Sequence, residues 1–301
     1  VIMESFGKEY IGFFNRDLDG GTYRGYTPFL DSLLAVSRTF EHSFANGRKS
    51  IDAMPSVLSG IPMFIEPYIT TPYATNAVSS IADVLKAHGY YSAFFHGAPN
   101  GSMGFQAYAN AAGYDDYFGM TEYGNDHDFD GVWAIWDEEF LQFFADRMGS
   151  FRQPFVTTVF TASSHHPFAV PQRYEGKFPE GTLPIHKCIG YSDYALRRFF
   201  DRMKQYPWFE NTLFVFTADH TNASQYAEYQ TDAGLFEVPI AFYCAGDSTL
   251  RGISHTPVAQ TDVMPTILAY LHNERPFVAF GADVLAADSL HYVCNYNNGV
   301  Y

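Results

Sequence analysis

Residues able to bind a divalent metal ion stand where strands are predicted to end. Glu4 ends the apolar run VIMESF (1–6), and Asp219 ends TLFVFTAD (212–219), with His220 directly after it. Because open α/β sheets bind ligands beyond the carboxyl ends of their strands, we expect these side chains to meet at one edge. Two carboxylates and an imidazole can hold a divalent ion and leave a position open for catalysis.

Histidines and serines follow two more predicted strands. His96 ends YSAFFHG, and Ser163, Ser164, His165 and His166 follow PFVTTVF. A single histidine at a strand end is more often structural or solvated than functional, so each of these signals is weak alone. Their position at the same predicted sheet edge as the carboxylates makes them candidate site residues.

A nucleophile is offered by the segment ANGRKSIDAMPSVLSGIP (45–62), which is predicted to be a loop entering a helix. Ser50 fits the N-cap of that helix, and by itself this pattern favours a cap with no further role. A serine at a helix N-terminus can also face a phosphate, since free N–H groups and the helix dipole favour anions. Arg48 and Lys49 suggest a local anionic ligand, although the same pair fits a solvated turn.

Apolar runs alternate with amphipathic stretches, which predicts the elements that must position these residues. The predicted strands are 1–6, 91–97, 154–163, 212–219 and 238–244. The predicted helices are 27–40, 76–89, 137–148, 186–206 and 261–271. This alternation favours a doubly wound α/β fold, a mostly parallel sheet with helices on both faces. The Gly/Asn/Asp-rich stretch 97–131 is predicted to form long loops.

Composition narrows the class of protein. The chain has 301 residues, of which 47% are hydrophobic and 17% charged, so we expect a sizeable core and no extensive disorder. A net charge of −15 disfavours a nucleic-acid binder, which usually carries a basic patch. There is no run of 18 apolar residues and no signal-peptide pattern at the start. The aromatic fraction of 18% favours an aromatic core, or else a surface that works near lipid headgroups or sugars.

The cysteines and the chain start carry two further expectations. Cys188, Cys244 and Cys294 match no metal-finger spacing, although their number allows one disulfide. Cys244, in the apolar run VPIAFYC, is expected to be buried. We expect residues 1–301 to form one domain. Because the first predicted strand begins at residue 1 without a lead-in, we expect this domain to be a fragment of a longer chain.

Segments along most of the chain resemble one family. They are MESFG (3–7), TPFLDSL (27–33), ANGRKSIDAMPSVLSGIP (45–62), FFHG (94–97), GYDDYFG (113–119), GVWAIWDEEF (131–140), TASSHHPF (161–168), GYSDYALRRFF (190–200), LFVFTADHT (213–221), VPIAFY (238–243) and QTDVMPTIL (260–268). In order and spacing they resemble the sulfatase-like branch of the alkaline phosphatase superfamily. Within it, the chain is similar to the lipoteichoic acid synthases and other phosphoglycerol transferases.

The resemblance implies a metal site and a nucleophile. Glu4 stands at the family's first metal-binding glutamate, and Asp219 and His220 match its metal-binding Asp-His pair. Ser50 stands where the family has its threonine nucleophile. The implied cofactor is one divalent ion, Mn²⁺, Mg²⁺ or Zn²⁺, held by Glu4, Asp219, His220 and Ser50.

The resemblance also implies residues that bind the substrate. His165, in the pattern His-x-Pro, matches a histidine that contacts the substrate phosphate and is implied to act in catalysis. His96 matches the family's histidine in FFHG, and the cationic pair beside the nucleophile is a further candidate. Trp133 is expected at the pocket rim, whereas on a helix Trp133 and Trp136 would share a face and belong to the core.

Departures from the family pattern bear on the substrate. Ser50 does not open the Ser-x-Pro-x-Arg segment from which sulfatases make formylglycine, so sulfate-ester cleavage is not expected. Met103 and Phe105 stand where the lipoteichoic acid synthases carry a Trp and an Arg that bind glycerol phosphate. The segment QTDAGLFEVP (230–239) lacks the additional zinc-binding histidine of the phosphoethanolamine transferases.

The implied function is a metal-dependent transferase that works through phospho-Ser50. It would move a phosphoglycerol-type or other phospho-head group from an anionic phospholipid to a glycan or lipid acceptor. The implied location is the extracytoplasmic face of a bacterial inner membrane, with membrane helices upstream of this segment. The alternatives are a phosphoesterase that uses water as acceptor, a phosphoethanolamine transferase, and a non-enzymatic module that binds a glycan or protein. Retention of all four site residues argues against the last.

Overall fold

Short strands alternate with helices in the computed structural model, which describes residues 1–286 and 291–296. The helices are α1 (Leu18–Gly21), α2 (Pro28–Leu34), α3 (Ser50–Ser59), α4 (Ile81–Lys86), α5 (Phe105–Ala111), α6 (Met120–Tyr123), α7 (Asp137–Gly149), α8 (His186–Met203) and α9 (Val263–Tyr270). The strands are β1 (Ile2–Met3), β2 (Arg38–Phe40), β3 (Ser43–Phe44), β4 (Tyr91–His96), β5 (Asp116–Phe118), β6 (Phe155–Phe160), β7 (Phe214–Ala218), β8 (Ile240–Tyr243), β9 (Gly252–Ser254) and β10 (Val258–Ala259).

Eight strands form a central sheet in the order β5-β4-β6-β1-β7-β8-β2-β9, and β10 pairs with β3 in a small second sheet. β8 runs antiparallel to β7 and β2, and the other neighbours in the central sheet run parallel. The carboxyl ends of β4, β6, β1 and β7 therefore lie at one edge. This confirms the predicted mostly parallel α/β sheet.

The two faces of the sheet bury separate apolar clusters. Along β4, Ala93 and Phe95 enter the cluster covered by α2, α7 and α8, whereas Phe94 enters the cluster covered by α3, α4, α5 and α9. This alternation follows from the two-residue period of a strand. Helices therefore cover both faces, as the doubly wound prediction required.

Aromatic rings fill much of this core, which confirms the aromatic-core reading of the composition. Phe95 stacks on Phe118 with ring centroids 4.6 Å apart, and Phe144 stacks on Phe199 at 5.3 Å. Such pairs contribute about 0.5–1.5 kcal/mol beyond their burial. The packing holds α7 and α8 on the sheet, and so fixes the loops at its carboxyl edge.

Three element predictions were wrong in part. The predicted helix 27–40 ends at Leu34, because residues 38–40 form β2 between β8 and β9. The predicted strand 1–6 is reduced to β1, since the backbone turns at Ser5, where φ is 58°. The stretch 97–131 is not only loop, because it contains α5, α6 and the edge strand β5. In each case pairing or packing with distant residues decides a conformation that the local pattern does not encode.

The cysteines are free within the described ranges. Cys188 is buried on α8, Cys244 is half-buried rather than buried as expected, and Cys294 is exposed. Among the described residues, no helix has both the length and the apolar character needed to cross a membrane.

Candidate active site

Glu4, Ser50, Asp219 and His220 meet at the carboxyl edge of the central sheet. Glu4 follows β1 and Asp219 follows β7, and these strands are parallel neighbours, so their ends lie side by side. Ser50 Oγ lies 3.1 Å from Glu4 Oε2 and 3.4 Å from His220 Nε2. His220 Nε2 lies 3.3 Å from Asp219 Oδ2 and 3.9 Å from Glu4 Oε1. The structure thus brings together the four residues that the sequence singled out.

The hydroxyl of Ser50 does not cap the helix, contrary to the prediction. Lys49 is the N-cap residue, with extended backbone angles (φ −135°, ψ 149°), and α3 begins at Ser50 itself. Asp52 ties the helix start instead, because its Oδ2 accepts the N–H of Lys49 at 3.2 Å. Ser50 is 7% exposed, and its hydroxyl donates to Glu4. The side chain therefore points into the site and not along the helix end.

Ser5 holds the two carboxylates of the site. Its backbone N–H donates to Asp219 Oδ1 at 2.7 Å, and its hydroxyl donates to Glu4 Oε1 at 2.6 Å. Ser5 has a positive φ of 58°, which a non-glycine residue rarely adopts and which is retained where the surroundings enforce it. Adjacency to Glu4 is the one feature of the sequence that points to this role.

The His220 ring has a fixed orientation. Nδ1 lies 2.6 Å from the Thr221 carbonyl oxygen, and because a carbonyl only accepts, Nδ1 carries a proton. In the neutral ring the lone pair is then on Nε2, which faces Ser50 and the carboxylates. Metal-binding histidines are commonly oriented in this way, by donating their other N–H to a carbonyl.

Burial and mutual charge set the pKa values of the site apart. Burial and repulsion by Glu4 raise the pKa of Asp219 to about 8. Burial also raises the pKa of Glu4, but attraction to His220 and the Ser5 hydrogen bond outweigh it and hold that pKa below its ordinary value. Burial lowers the pKa of His220, but Asp219 and Glu4 outweigh it and raise that pKa. A bound cation would relieve the repulsion between the two carboxylates.

The donor set fits a divalent metal ion. Ligand atoms of Glu4, Asp219 and His220 lie within 4.8 Å of one another, and this is the one such group of three in ranges 1–286 and 291–296. Asp219 Oδ2 is buried without a hydrogen-bond partner, a costly arrangement that a metal would satisfy. Mixed oxygen and nitrogen ligands accept Mn²⁺, Mg²⁺ or Zn²⁺ and do not choose sharply among them.

An amide clamp, formed by Asn46 and Gln260, ties the Ser50 loop to β7. Gln260 Nε2 donates to the carbonyl oxygens of the last β7 residue and of Asp219, at 2.6 and 2.9 Å. Gln260 Oε1 accepts the Asn46 N–H at 2.9 Å, and Asn46 Oδ1 accepts the backbone N–H that follows Gln260 at 3.0 Å. Both side chains are buried. Sequence reasoning missed the clamp, since Gln260 appeared only as the first residue of a family segment.

His96 lies inside the wall of the site. It is 2% exposed, with Nδ1 3.0 Å from the Phe160 carbonyl oxygen and Nε2 buried without a partner. Burial lowers the pKa of His96. Glu4 and His165 lie close enough for their charges to influence that pKa as well. Its ring packs 5.0 Å from the ring of Phe105. Phe105 is fully buried and presents an apolar face to His96.

His165 and Trp133 pack against each other, one in the loop after β6 and the other in the loop before α7. Their ring centroids lie 4.2 Å apart and both residues are half-buried, while His165 Nδ1 lies 3.0 Å from the His166 carbonyl oxygen. Trp133 and Trp136 do not share a helix face, because α7 begins only at Asp137. Trp133 Nε1 is buried without a hydrogen-bond partner. An aromatic face and an imidazole therefore lie side by side, and the position of Trp133 at the pocket rim stays a prediction.

The cationic pair makes fewer contacts with the site than the other predicted residues do. Arg48 and Lys49 are exposed, and neither side chain forms a salt bridge or hydrogen bond in the described part of the chain. Met103 is half-buried with a positive φ of 52°. The structure thus places the pair beside Ser50 in the chain without bringing it into the cluster.

Comparison with known proteins identifies the family. The sequence model of the sulfatase family matches residues 1–273, so the chain belongs to the sulfatase family. It is 24% identical over 284 residues to "Lipoteichoic acid synthase-like YvgJ" of Bacillus subtilis (strain 168), covering 87% of this chain and 46% of that protein. It is 25% identical over 308 residues to "Phosphoglycerol transferase I" of Salmonella choleraesuis (strain SC-B67), covering 91% and 38%.

The fold is shared with a solved structure as well. A protein in the alkaline phosphatase superfamily from Vibrio parahaemolyticus aligns with a TM-score of 0.82 at 24% identity, covering 96% of this chain and 69% of that one. The resemblance in family and fold is therefore confirmed. The chain spans less than half the length of the two curated relatives.

Proposed function

We propose that this chain is the catalytic domain of a metal-dependent transferase of phosphoglycerol-type or related phospho-head groups. One observation carries the proposal: the buried Ser50 Oγ lies 3.1 Å from Glu4 Oε2 and 3.4 Å from His220 Nε2. A weakly acidic hydroxyl becomes a nucleophile when a proton acceptor or a metal ligand set adjoins it. The names of the two curated relatives support the choice of transferred group.

Ser50 supplies the nucleophile in the first of two displacements. Its hydroxyl gives up a proton and Oγ bonds the phosphorus of a lipid phosphodiester, while the bond from phosphorus to the diacylglycerol oxygen breaks. Diacylglycerol leaves with a proton, and the head group stays on Ser50. An acceptor hydroxyl then loses its proton and bonds the phosphorus, the Oγ–phosphorus bond breaks, and the Ser50 oxygen takes up a proton. Two in-line displacements restore the original configuration at phosphorus.

Glu4, Asp219 and His220 would hold the metal ion, with the serine hydroxyl as a fourth ligand. When bound, such an ion stabilises charge on phosphoryl oxygens and lowers the pKa of a coordinated hydroxyl. Ser5 contributes by holding both carboxylates at fixed positions. Glu4 Oε2 accepts the hydrogen bond of Ser50 and so lies where the hydroxyl proton is directed.

The residues around this cluster would bind the substrate. We expect His165 and Trp133 to contact the head group, because their adjacent rings offer an imidazole and an aromatic face. The unpartnered Nε2 of His96 is a further candidate. Arg48 and Lys49 add positive charge next to the start of α3, whose free N–H groups favour a phosphate. The donor is an anionic membrane phospholipid and the acceptor a glycan or lipid, so the domain works at the extracytoplasmic face of a bacterial inner membrane.

Release of diacylglycerol from phosphatidylglycerol vesicles tests the proposal. We expect release that requires a divalent ion, is abolished by a chelator and is absent in Ser50→Ala. Undiminished release by Ser50→Ala contradicts the proposal. A glycan or glycolipid acceptor should appear in the product with the head group attached. Free glycerol phosphate as the sole product, at a rate independent of acceptor, identifies a phosphodiesterase instead.

A further inference from the structure

An apolar groove lies beside the helix that carries Ser50. Residues 61–79 and 278–280 contribute its lining, and its volume is 740 Å³, inside the range of about 300–1,000 Å³ typical of small-molecule sites. Several large apolar side chains of the lining are exposed: Phe64, Ile65, Tyr73, Val278 and Phe280. Ile65 and Val278 are 69% and 73% exposed. Concentrated apolar exposure of this kind marks an interaction site.

Apolar side chains connect the groove to the active site. The turn Tyr68–Thr70 borders the groove and packs on α3. Within it, Ile69 lies so close to Gly104 that a Cβ on that glycine would stand 3.1 Å from Ile69 Cγ2. The residue after Gly104 is Phe105, whose ring packs 5.0 Å from that of His96 in the site wall. A row of packed side chains therefore runs from the border of the groove to the wall of the site.

The groove and the surroundings of Ser50 differ in charge. The groove lining holds one charged side chain, Glu66, which repels a phosphate and so disfavours a lipid head group there. Beside Ser50 lie Arg48, Lys49 and the start of α3, which attract a phosphate. An anionic lipid has the same polarity, with a charged head and an uncharged tail.

We infer that the groove binds a hydrocarbon chain of the lipid donor while the donor's phosphate lies at Ser50. This inference rests on the proposed function, from which it takes the lipid donor. The groove then contributes to donor selection. Short-chain phosphodiesters leave the groove empty, so their binding lacks the favourable free energy of apolar burial.

Binding to a protein that cannot turn over tests the groove apart from the reaction. Calorimetry would measure the affinity of Ser50→Ala for monomeric lysophosphatidylglycerols of increasing chain length. We expect affinity to rise about fourfold for each buried methylene. Ile65→Asn in the same background should bind the longest chain about fifteenfold more weakly, because about two methylenes lose their apolar contact. The matched control Ile253→Asn changes an isoleucine 49% exposed on β9, outside the groove lining, and should bind like its parent.

Two results overturn the inference: affinity that does not depend on chain length, and equal losses in the two asparagine variants. Sedimentation of the same proteins detects a competing occupant. A dimer that Ile65→Asn converts to a monomer would make the groove a self-interface and also overturn the inference. Failure of the proposed function gives a different result, because wild-type protein then releases no diacylglycerol from any donor. The chain-length dependence of binding still shows whether the groove binds a hydrocarbon chain.

Discussion

The clamp of Asn46 and Gln260 allows positioning of the nucleophile to be separated from stability of the fold. Gln260→Leu removes three hydrogen bonds of 2.6, 2.9 and 2.9 Å and leaves two carbonyl oxygens and the Asn46 N–H buried without that partner. Each net hydrogen bond contributes about 0.5–1.5 kcal/mol, and an unsatisfied buried group costs about 1–3 kcal/mol. We therefore expect the free energy of unfolding to fall by about 3–5 kcal/mol.

Activity should fall further than this loss of stability explains. A folded Gln260→Leu molecule no longer ties the Ser50 loop to the strand that ends at Asp219, and a displacement of about 1 Å can cost about 10² in rate. Urea unfolding would give the stability, and diacylglycerol release under folding conditions would give kcat and KM. We expect kcat to fall by at least about tenfold, with a smaller change in KM.

Leu196→Ala provides a control of similar instability. Leu196 is fully buried in the cluster under α8, away from the clamp, and its truncation should cost about 2–5 kcal/mol. The folded control is expected to keep its kcat. Equal kcat values for the two variants would refute a positioning role for the clamp.

Three other perturbations have distinct expected outcomes. Ser50→Ala should lower kcat by about 10⁶ while changing the unfolding free energy by only about 1 kcal/mol, because the hydroxyl does not cap α3. Ser50→Thr should stay active. A large loss of stability in Ser50→Ala would contradict the absence of a capping role. Burial raises the pKa of Asp193, which accepts two backbone N–H groups at the start of α2, from 3.8 to about 7. The contribution of Asp193 to the free energy of unfolding is therefore complete below pH 3.8 and is lost as pH rises through about 7. Asp193→Asn should remove up to about 4 kcal/mol of the pH dependence of that free energy, measured by urea unfolding. An unchanged pH profile would contradict the assignment. Trp133→Phe should raise KM about two- to tenfold with little change in kcat, and a loss confined to kcat would place the indole in the chemistry instead.

The meeting of Glu4 and Asp219 at the sheet edge could be predicted from the sequence, because it depends on strong local patterns. The apolar strands that precede Glu4 and Asp219 must be buried, and their parallel pairing then sets the two carboxylates side by side. Helices α7 and α8 were placed to within a few residues, since their apolar periodicity is sustained. β2 was missed because three residues carry no periodicity, and partner strands on both sides determine its conformation.

The residues that hold the site side chains in position could not be predicted from the sequence. Ser5 acts through a positive φ, which the residue type disfavours. Gln260 acts through carbonyl oxygens some 40 residues away in the chain. The cap at Ser50 was assigned by residue type, whereas Asp52 performs the capping and leaves the serine hydroxyl to the site.

In the proposed mechanism, Ser50 carries the head group between the two displacements. Wild-type protein would be incubated with phosphatidylglycerol and a divalent ion without acceptor, quenched in acid, digested and mapped by tandem mass spectrometry. This mechanism requires a glycerophosphoryl addition on Ser50 and no addition in Ser50→Ala. Diacylglycerol release by the wild type with no adduct on Ser50 at any quench time, together with equal release by Ser50→Ala, would contradict it.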